Sequence, residues 1–360
     1  MALDMLELRY SDFSLTEDEL AVRDAFREFF TAECPTSRVR AAEPSGFDAR
    51  LWRQVAEFGA ISMGLPESAG GDDAGLFVLA IVAEEAGAAL APVPFAEHTA
   101  ASRALARLGG SAADSSAMAA VTAEVLAAVA GRPLSLAPQP VTGTALALVP
   151  AGAVARDNLV LDGDELVLLQ AEEPPRLVRN QGSTPLARWA VRDGVTRAVL
   201  AAGTEAAAAY ATACAEWRLL TAAALVGLTQ RALGLGVEFS RTRETLGVPI
   251  GSLQGVAFPL VDVEIGVSGA RNLVRKAAWL ADTEPGEHRG LSAAAFAYAA
   301  QVATHGTITA AHVQGGLGFT IEADASLYFL RAKGWSVLGG DPAREVTAVG
   351  DALIARVLDK

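Results

Sequence analysis

The sequence predicts a mainly α protein interrupted by a β middle segment: an N-terminal helical domain, a small β domain and a C-terminal helical bundle. Three observations predict it. Helical periodicity runs from Leu15 to about Gly109. Between about 132 and 200 the texture changes to short apolar runs set around Asp-Gly pairs. After Glu205 long stretches step again by three and four. The boundaries that follow are 1–130, 131–202 and 203–360.

The N-terminal elements carry their own signals. In "LTEDELAVRDAFREFF", Thr16 is placed to cap a helix and Glu19 stands three residues on, the spacing of a capping box. "DARLWRQVAEFGA" reads as a second amphipathic helix, "LPESAGGDDAG" as a glycine-rich loop, and "LFVLAIVAEEAGAAL" as a buried helix. In the middle segment, "NLVLDGDELVLL" has two apolar runs around Asp162-Gly163, a hairpin signal, and "RWAVRDGVTRAVL" repeats it around Asp193-Gly194. "EEPPR", Glu172 to Arg176, reads as a loop. In the C-terminal part, Leu225, Leu228, Ala232, Leu235 and Phe239 form one seam. Val256, Leu260, Val263, Val267, Ala270 and Val274 form another.

Composition narrows the function. Half of the 360 residues are hydrophobic (51%), enough for a large core, and the net charge is −13. Nucleic-acid binding is not expected, because phosphate backbones demand a basic face. An anionic ligand remains open to a few converging arginines. Cys34 and Cys214 cannot build a disulfide framework and fit a reducing compartment. The first residues show early acids and no apolar core of signal-peptide length. The run "LLTAAALVGL" after Arg218 is about half of what a bilayer span needs. A cytoplasmic protein without membrane or nucleic-acid partners is expected. No G-x-G-x-x-G follows a strand, and the four histidines lack the companions of a zinc site. His305 reads as a packed helix residue, and no metal is expected. "HVQGGLGF", His312 to Phe319, is the most unusual stretch: three glycines in four positions that either end a helix or let backbone approach a phosphate.

Several of these segments together resemble the acyl-CoA dehydrogenase family, over nearly the whole chain from about Leu15. "LWRQVAEFGAISMGLPESAGG" is similar to that family's N-terminal helix and P-E-x-x-G-G turn. "RETLGVPIGSLQ" resembles its R-x-x-F-G-x-P-I-x-x-x-Q, "HVQGGLGF" its Q-x-x-G-G-x-G-[FY], and "PLARWAVRDGV" the strand closing its middle domain. The resemblance implies a small β-barrel between helical domains, a C-terminal four-helix bundle, and FAD-dependent oxidation of the Cα–Cβ bond of an acyl-CoA. A carboxylate base takes the α-proton, and hydrogen bonds hold the thioester oxygen. Electron-transfer flavoprotein is the implied electron acceptor. FAD is implied to lie at a subunit interface.

Carried over by position, the resemblance gives Arg243 to the FAD diphosphate, Thr245 and Leu246 to adjacent contacts, and Gln254 to the adenine side. It gives His312, Gln314, Gly315 and Gly316 to the glycine-rich contact. Leu246 replaces a phenylalanine and His312 a glutamine. The pattern then breaks. Aligning Ala332-Lys333 with the family's A-K puts Gly339 where its glutamate base belongs, and a second known base position falls on Trp217. Glu216 and Asp341 are the carboxylates left nearby. The β domain is shortened after "SLAPQPVTG", and Ala145 replaces a lysine.

The flavin-ring half of the site is thus eroded while the diphosphate half persists. This arrangement resembles the degenerate β subunit of heteromeric α2β2 actinobacterial acyl-CoA dehydrogenases of steroid catabolism, which lends its residues to a homologous catalytic subunit. Two other readings stay open: an active homo-oligomer whose base is Glu216 or Asp341, and an FAD-free scaffold or carrier-binding module.

Overall fold

The computed structural model describes residues 13–111, 124–127, 131–141, 147–190, 194–284 and 288–358. Helices α1 (Glu17–Glu33), α2 (Thr36–Ala42), α3 (Ala49–Glu57), α4 (Leu76–Ala88) and α5 (Phe95–Ser111) precede the strands. The capping box at Thr16 is formed in both directions: its hydroxyl accepts from the Glu19 N–H, and the Glu19 carboxylate accepts from the Thr16 N–H at 2.7 Å. Asp48 caps α3 by accepting from the backbone of Arg50 and Leu51. Leu51, Trp52 and Val55 then face inward on one side of α3, as their spacing of three and four requires. Helix α4 is apolar around most of its circumference because it is covered by α1 on one side and the bundle on the other.

The middle domain holds β1 (Leu134–Leu136), β2 (Ala147–Val149), β3 (Asp157–Asp162), β4 (Glu165–Ala171), β5 (Ala187–Trp189) and β6 (Val195–Ala202). One sheet has the order β1-β3-β4-β6; β2 and β5 form a second. Val149, Ala187 and Trp189 from the second sheet share a core with Val160, Val167 and Leu169 from the first. The β3–β4 hairpin exists, one residue displaced from expectation. Asp162 pairs with Glu165, so the turn is Gly163-Asp164. The second Asp-Gly signal does not make a hairpin: β5 pairs with β2, and β6 pairs with β4. A local turn signal reports a reversal but not which strands meet. Asp193 and Ala145 lie outside the described residues.

The bundle is built from α6 (Gly203–Thr242), α7 (Gln254–Thr283), α8 (Arg289–Val313), α9 (Asp324–Trp335) and α10 (Pro342–Leu358). Both predicted seams are real: Leu225, Leu228 and Ala232 on α6 and Leu260, Val263, Val267, Ala270 and Val274 on α7 are buried. By length and composition α6 contains a stretch apolar enough to cross a bilayer. Two-thirds of that stretch (67%) is buried inside the protein, so its apolarity serves core packing. Gly87 of α4 and Gly227 of α6 bring the two helices into backbone contact. A Cβ at Gly87 would lie 2.0 Å from the Ala224 carbonyl oxygen, and one at Gly227 would meet the Glu84 carbonyl oxygen. Trp217 packs near Phe296, and Gly236 faces Ala310, so α6 and α8 run side by side in the same direction.

Candidate functional site

The parallel course of α6 and α8 places their C-termini at one end of the bundle, together with the start of α7. Arg243, Thr245, Leu246, Gln254, His312, Gln314, Gly315 and Gly316 are therefore all gathered at that end. Arg243 terminates α6 in an extended conformation, its N–H donating to Phe239 and its carbonyl accepting from Ile250. Its side chain is exposed and joins no ion pair among the described residues. After it, β7 (Glu244–Thr245) and β8 (Val248–Pro249) form a minimal hairpin. Leu246 and Gly247 make its turn with φ of +51° and +78°. Positive φ at both central residues is the type I′ signature, and it strains leucine more than glycine. Leu246 stands 91% exposed at the tip. Gln254 opens α7 and is exposed.

"HVQGGLGF" closes α8. Gln314 is its C-cap, and Gly315 follows with φ +63°, the left-handed residue that commonly ends a helix. A 3-10 turn spans Gly315–Phe319. The three glycines separate by environment. Gly318 is buried, and a Cβ there would sit 2.2 Å from the Ala311 carbonyl oxygen; around Gly315 and Gly316 there is open space. Neither packing nor φ demands glycine at Gly316, so the exposed doublet leaves its backbone N–H groups accessible. This end of the bundle offers an unpaired guanidinium, an exposed imidazole at His312, an amide and free backbone donors. Those groups suit a diphosphate. The exposed state of His305 differs from the packed position its sequence context suggests. No cluster of three or more metal-ligating side chains occurs among the described residues.

The other half of the site lies far along the same helix. Trp217 is fully buried on α6, and its indole occupies the space in front of Gly339: a Cβ on Gly339 would lie 2.9 Å from Cζ3 of the ring. The two positions at which the resemblance implies a base are thus neighbours, one a tryptophan and the other the glycine that accommodates it. Gln139 from the β domain latches the same turn, its Nε2–H donating to the Gly339 carbonyl at 3.1 Å.

Neither remaining carboxylate points there. Glu216 is buried, with Arg107 at 2.7 Å and Arg103 at 3.3 Å on its two oxygens. That side of α6 faces α5, because one residue turns a helix by about 100°. Asp341 caps α10: its Oδ1 accepts from the Ala343 N–H at 3.0 Å. Arg218 is held by Glu345 of α10 at 2.8 Å.

The structure also displays groups that sequence reasoning passed over. Glu97 of α5 is buried, and its Oε1 accepts a long 3.5 Å hydrogen bond from Trp217 Nε1–H. Burial raises its pKa. Arg331 of α9 is buried and paired with Glu43 at 3.0 Å. Nothing local in "PFAEH" or "FLRAK" marks either residue, since their burial comes from elements distant in the chain.

Known proteins match this chain along its length. The family description "Acyl-CoA dehydrogenase, N-terminal domain" matches residues 16–123 and "Acyl-CoA dehydrogenase, C-terminal domain" matches 206–354. Acyl-CoA dehydrogenase IpdE2 of Mycolicibacterium smegmatis is 28% identical over 338 residues, which is 92% of this chain and 97% of that one. Acyl-CoA dehydrogenase FadE27 of Mycobacterium tuberculosis is 29% identical over 370 residues, 95% of this chain and 98% of that one. Among solved structures, the ChsE4–ChsE5 complex of Mycobacterium tuberculosis superposes with a TM-score of 0.82 at 26% identity, covering 96% of this chain and 99% of the other.

Proposed function

The chain belongs to the acyl-CoA dehydrogenase family, and from that premise we propose that it is the base-less subunit of a heteromeric acyl-CoA dehydrogenase. On this reading it shares FAD with a homologous catalytic subunit in a cytoplasmic α2β2 assembly. The assembly carries out α,β-dehydrogenation of an acyl-CoA thioester and passes electrons to electron-transfer flavoprotein. The catalytic subunit contributes the carboxylate. This chain contributes Arg243, Thr245, Leu246, Gln254, His312, Gln314, Gly315 and Gly316.

The carrying observation is the placement of Trp217 and Arg243 on one continuous helix. They are twenty-six residues apart, about 39 Å at 1.5 Å per residue. A short ribityl chain joins a flavin ring to its own diphosphate and cannot bridge that distance. The diphosphate held by Arg243 therefore belongs to a ring seated against another chain. The filled space at Trp217 and Gly339 supports the absence of turnover by this chain's own ring-side residues. A relative solved as a two-component complex supports the heteromeric form.

When bound, FAD supplies the hydride acceptor. This chain's part is electrostatic: Arg243 neutralises the diphosphate, the Gly315-Gly316 backbone donates to it, and Gln254 and the Leu246 tip flank the nucleotide end. An active homo-oligomer is disfavoured because Glu216 is engaged by two arginines and Asp341 by a helix cap. An FAD-free scaffold is disfavoured by the unpaired donors gathered at the bundle end. The acyl group is proposed, by analogy with steroid catabolism, to be bulky and cyclic.

Co-purification with the homologous subunit tests the proposal. The complex is expected to carry one flavin per heterodimer and to oxidise acyl-CoA, whereas the lone chain does neither. Arg243→Ala in this chain should weaken flavin retention by about ten- to a hundredfold, the worth of charge-assisted bonds. Full flavin occupancy and turnover by the lone chain would refute it.

A further inference from the structure

A groove of about 570 Å³ runs between the β2–β5 sheet and the outward side of α9. Small-molecule sites span about 300–1,000 Å³. Leu148, Leu186, Phe329, Leu330 and Val337 give it apolar walls. Leu148 is 42% and Val337 57% exposed along it. On α9, Tyr328, Arg331 and Ala332 are buried in the protein. Phe329, Leu330 and Lys333 lie on the opposite side of that helix, as steps of about 100° per residue require. Apolar side chains left open along a concavity mark binding rather than packing.

The charges specify the ligand. Among the lining residues only Lys333 carries an ionisable side chain. Its stem can lie along the apolar wall while its ammonium reaches the rim. Arg188 pairs across the sheet with Leu148, on the same face, which sets their Cβ atoms about 5 Å apart. A bridge between Leu177 and Ala187 extends this sheet, so Arg176 follows beside Arg188 on the adjacent strand. All three cations are exposed and join no ion pair among the described residues. In a chain of net charge −13, cations gathered without a carboxylate repel one another, and an anion seated among them relieves that repulsion. A positively charged ligand is opposed, and a neutral one leaves the cations unused. Because the cations sit at the rim, pairing with them buries no lone charge. We infer that this groove binds an aliphatic carboxylate, its apolar body along Leu148 and Phe329 and its anionic end at Lys333 and Arg188.

Calorimetric titration of the full chain with decanoate, and with decanol as a neutral analogue of equal length, tests this. Wild type should bind decanoate at least about fivefold tighter than decanol, the scale of a few exposed charge contacts. The double variant Arg188→Gln with Lys333→Gln should lose that preference. Leu148→Asp sets a negative charge in the apolar wall and should weaken decanoate at least about tenfold. All three positions are exposed, so the variants should fold, which circular dichroism checks. No decanoate binding by the wild-type chain overturns the inference. So does equal affinity for decanoate and decanol, or unweakened decanoate binding by either folded variant.

Discussion

At the scale of single residues, the contact between Trp217 and Gly339 is a packing constraint with a measurable sign. Trp217→Ala removes a fully buried indole and should cost about 3–5 kcal/mol. Gly339→Glu drives a side chain against the ring and should cost about 1–3 kcal/mol. Because the smaller residue makes room for the larger, the double variant should be more stable than the sum of the two losses. Urea midpoints would give the coupling, and strict additivity would show that the two sites do not share space. His98 supplies a pH prediction. It is fully buried beside Trp52, accepts the Leu134 N–H at Nδ1 over 3.2 Å, and burial pushes its pKa down to about 4. The unfolded chain binds this proton near pH 6.5 and the folded chain does not. Stability should therefore fall as pH drops from about 6.5 to 4, by roughly 3 kcal/mol. His98→Gln should flatten that slope in a chemical-denaturation series, and an unchanged slope would show that His98 does not cause it.

At the scale of elements, the α4–α6 crossing depends on two glycines whose hydrogens face main chain. Gly87→Ala or Gly227→Ala would set a methyl about 2 Å from a carbonyl oxygen that no rotamer can move. Each should lower stability by about 1–3 kcal/mol or more despite alanine's better helix propensity. Gly234, on the same helix, has only the far end of Arg231 within reach of a Cβ. Gly234→Ala should gain up to about 1 kcal/mol. Thermal melts of the three variants check the contrast, and equal effects would mean propensity outweighs contact. This shows where the sequence was legible. Seams at steps of three and four, the capping box and the domain texture are encoded locally, and each appears where periodicity puts it. The partner of a glycine is not local. Nor is the pairing of β5, which the Asp193-Gly194 turn signal suggests lies against β6 but which pairs instead with β2. The residues gathered at the end of the bundle lie in two contiguous motifs, so the sequence could group them. Glu97, Gln139 and Arg331 could not be grouped, because each meets its neighbours across more than forty residues of chain.

At the scale of the whole molecule, α7 presents an apolar stripe outward. Phe258, Val261 and Ile265 step by three and four and are each more than half exposed. Exposed rows of this kind mark association surfaces. Ile265→Asp should leave the fold within about 0.5 kcal/mol, as surface changes do, and weaken assembly at least about tenfold. Sedimentation velocity of the chain with its proposed homologous subunit reads this directly, and an undisturbed complex would place the interface elsewhere. The stripe begins one turn after Gln254, so on the proposed function assembly and flavin retention should fail together.

The indole at Trp217 also bears on descent. A lineage that loses a catalytic glutamate can ordinarily regain it by a single reversion. If this chain is the proposed base-less subunit, the volume at position 339 is already filled, and a glutamate there meets the Trp217 ring before it can meet a substrate. Reversal needs a second change first, and that change opens a hole in the core with no activity to reward it. On the proposed base-less reading, the specialisation of this chain would therefore work as a ratchet.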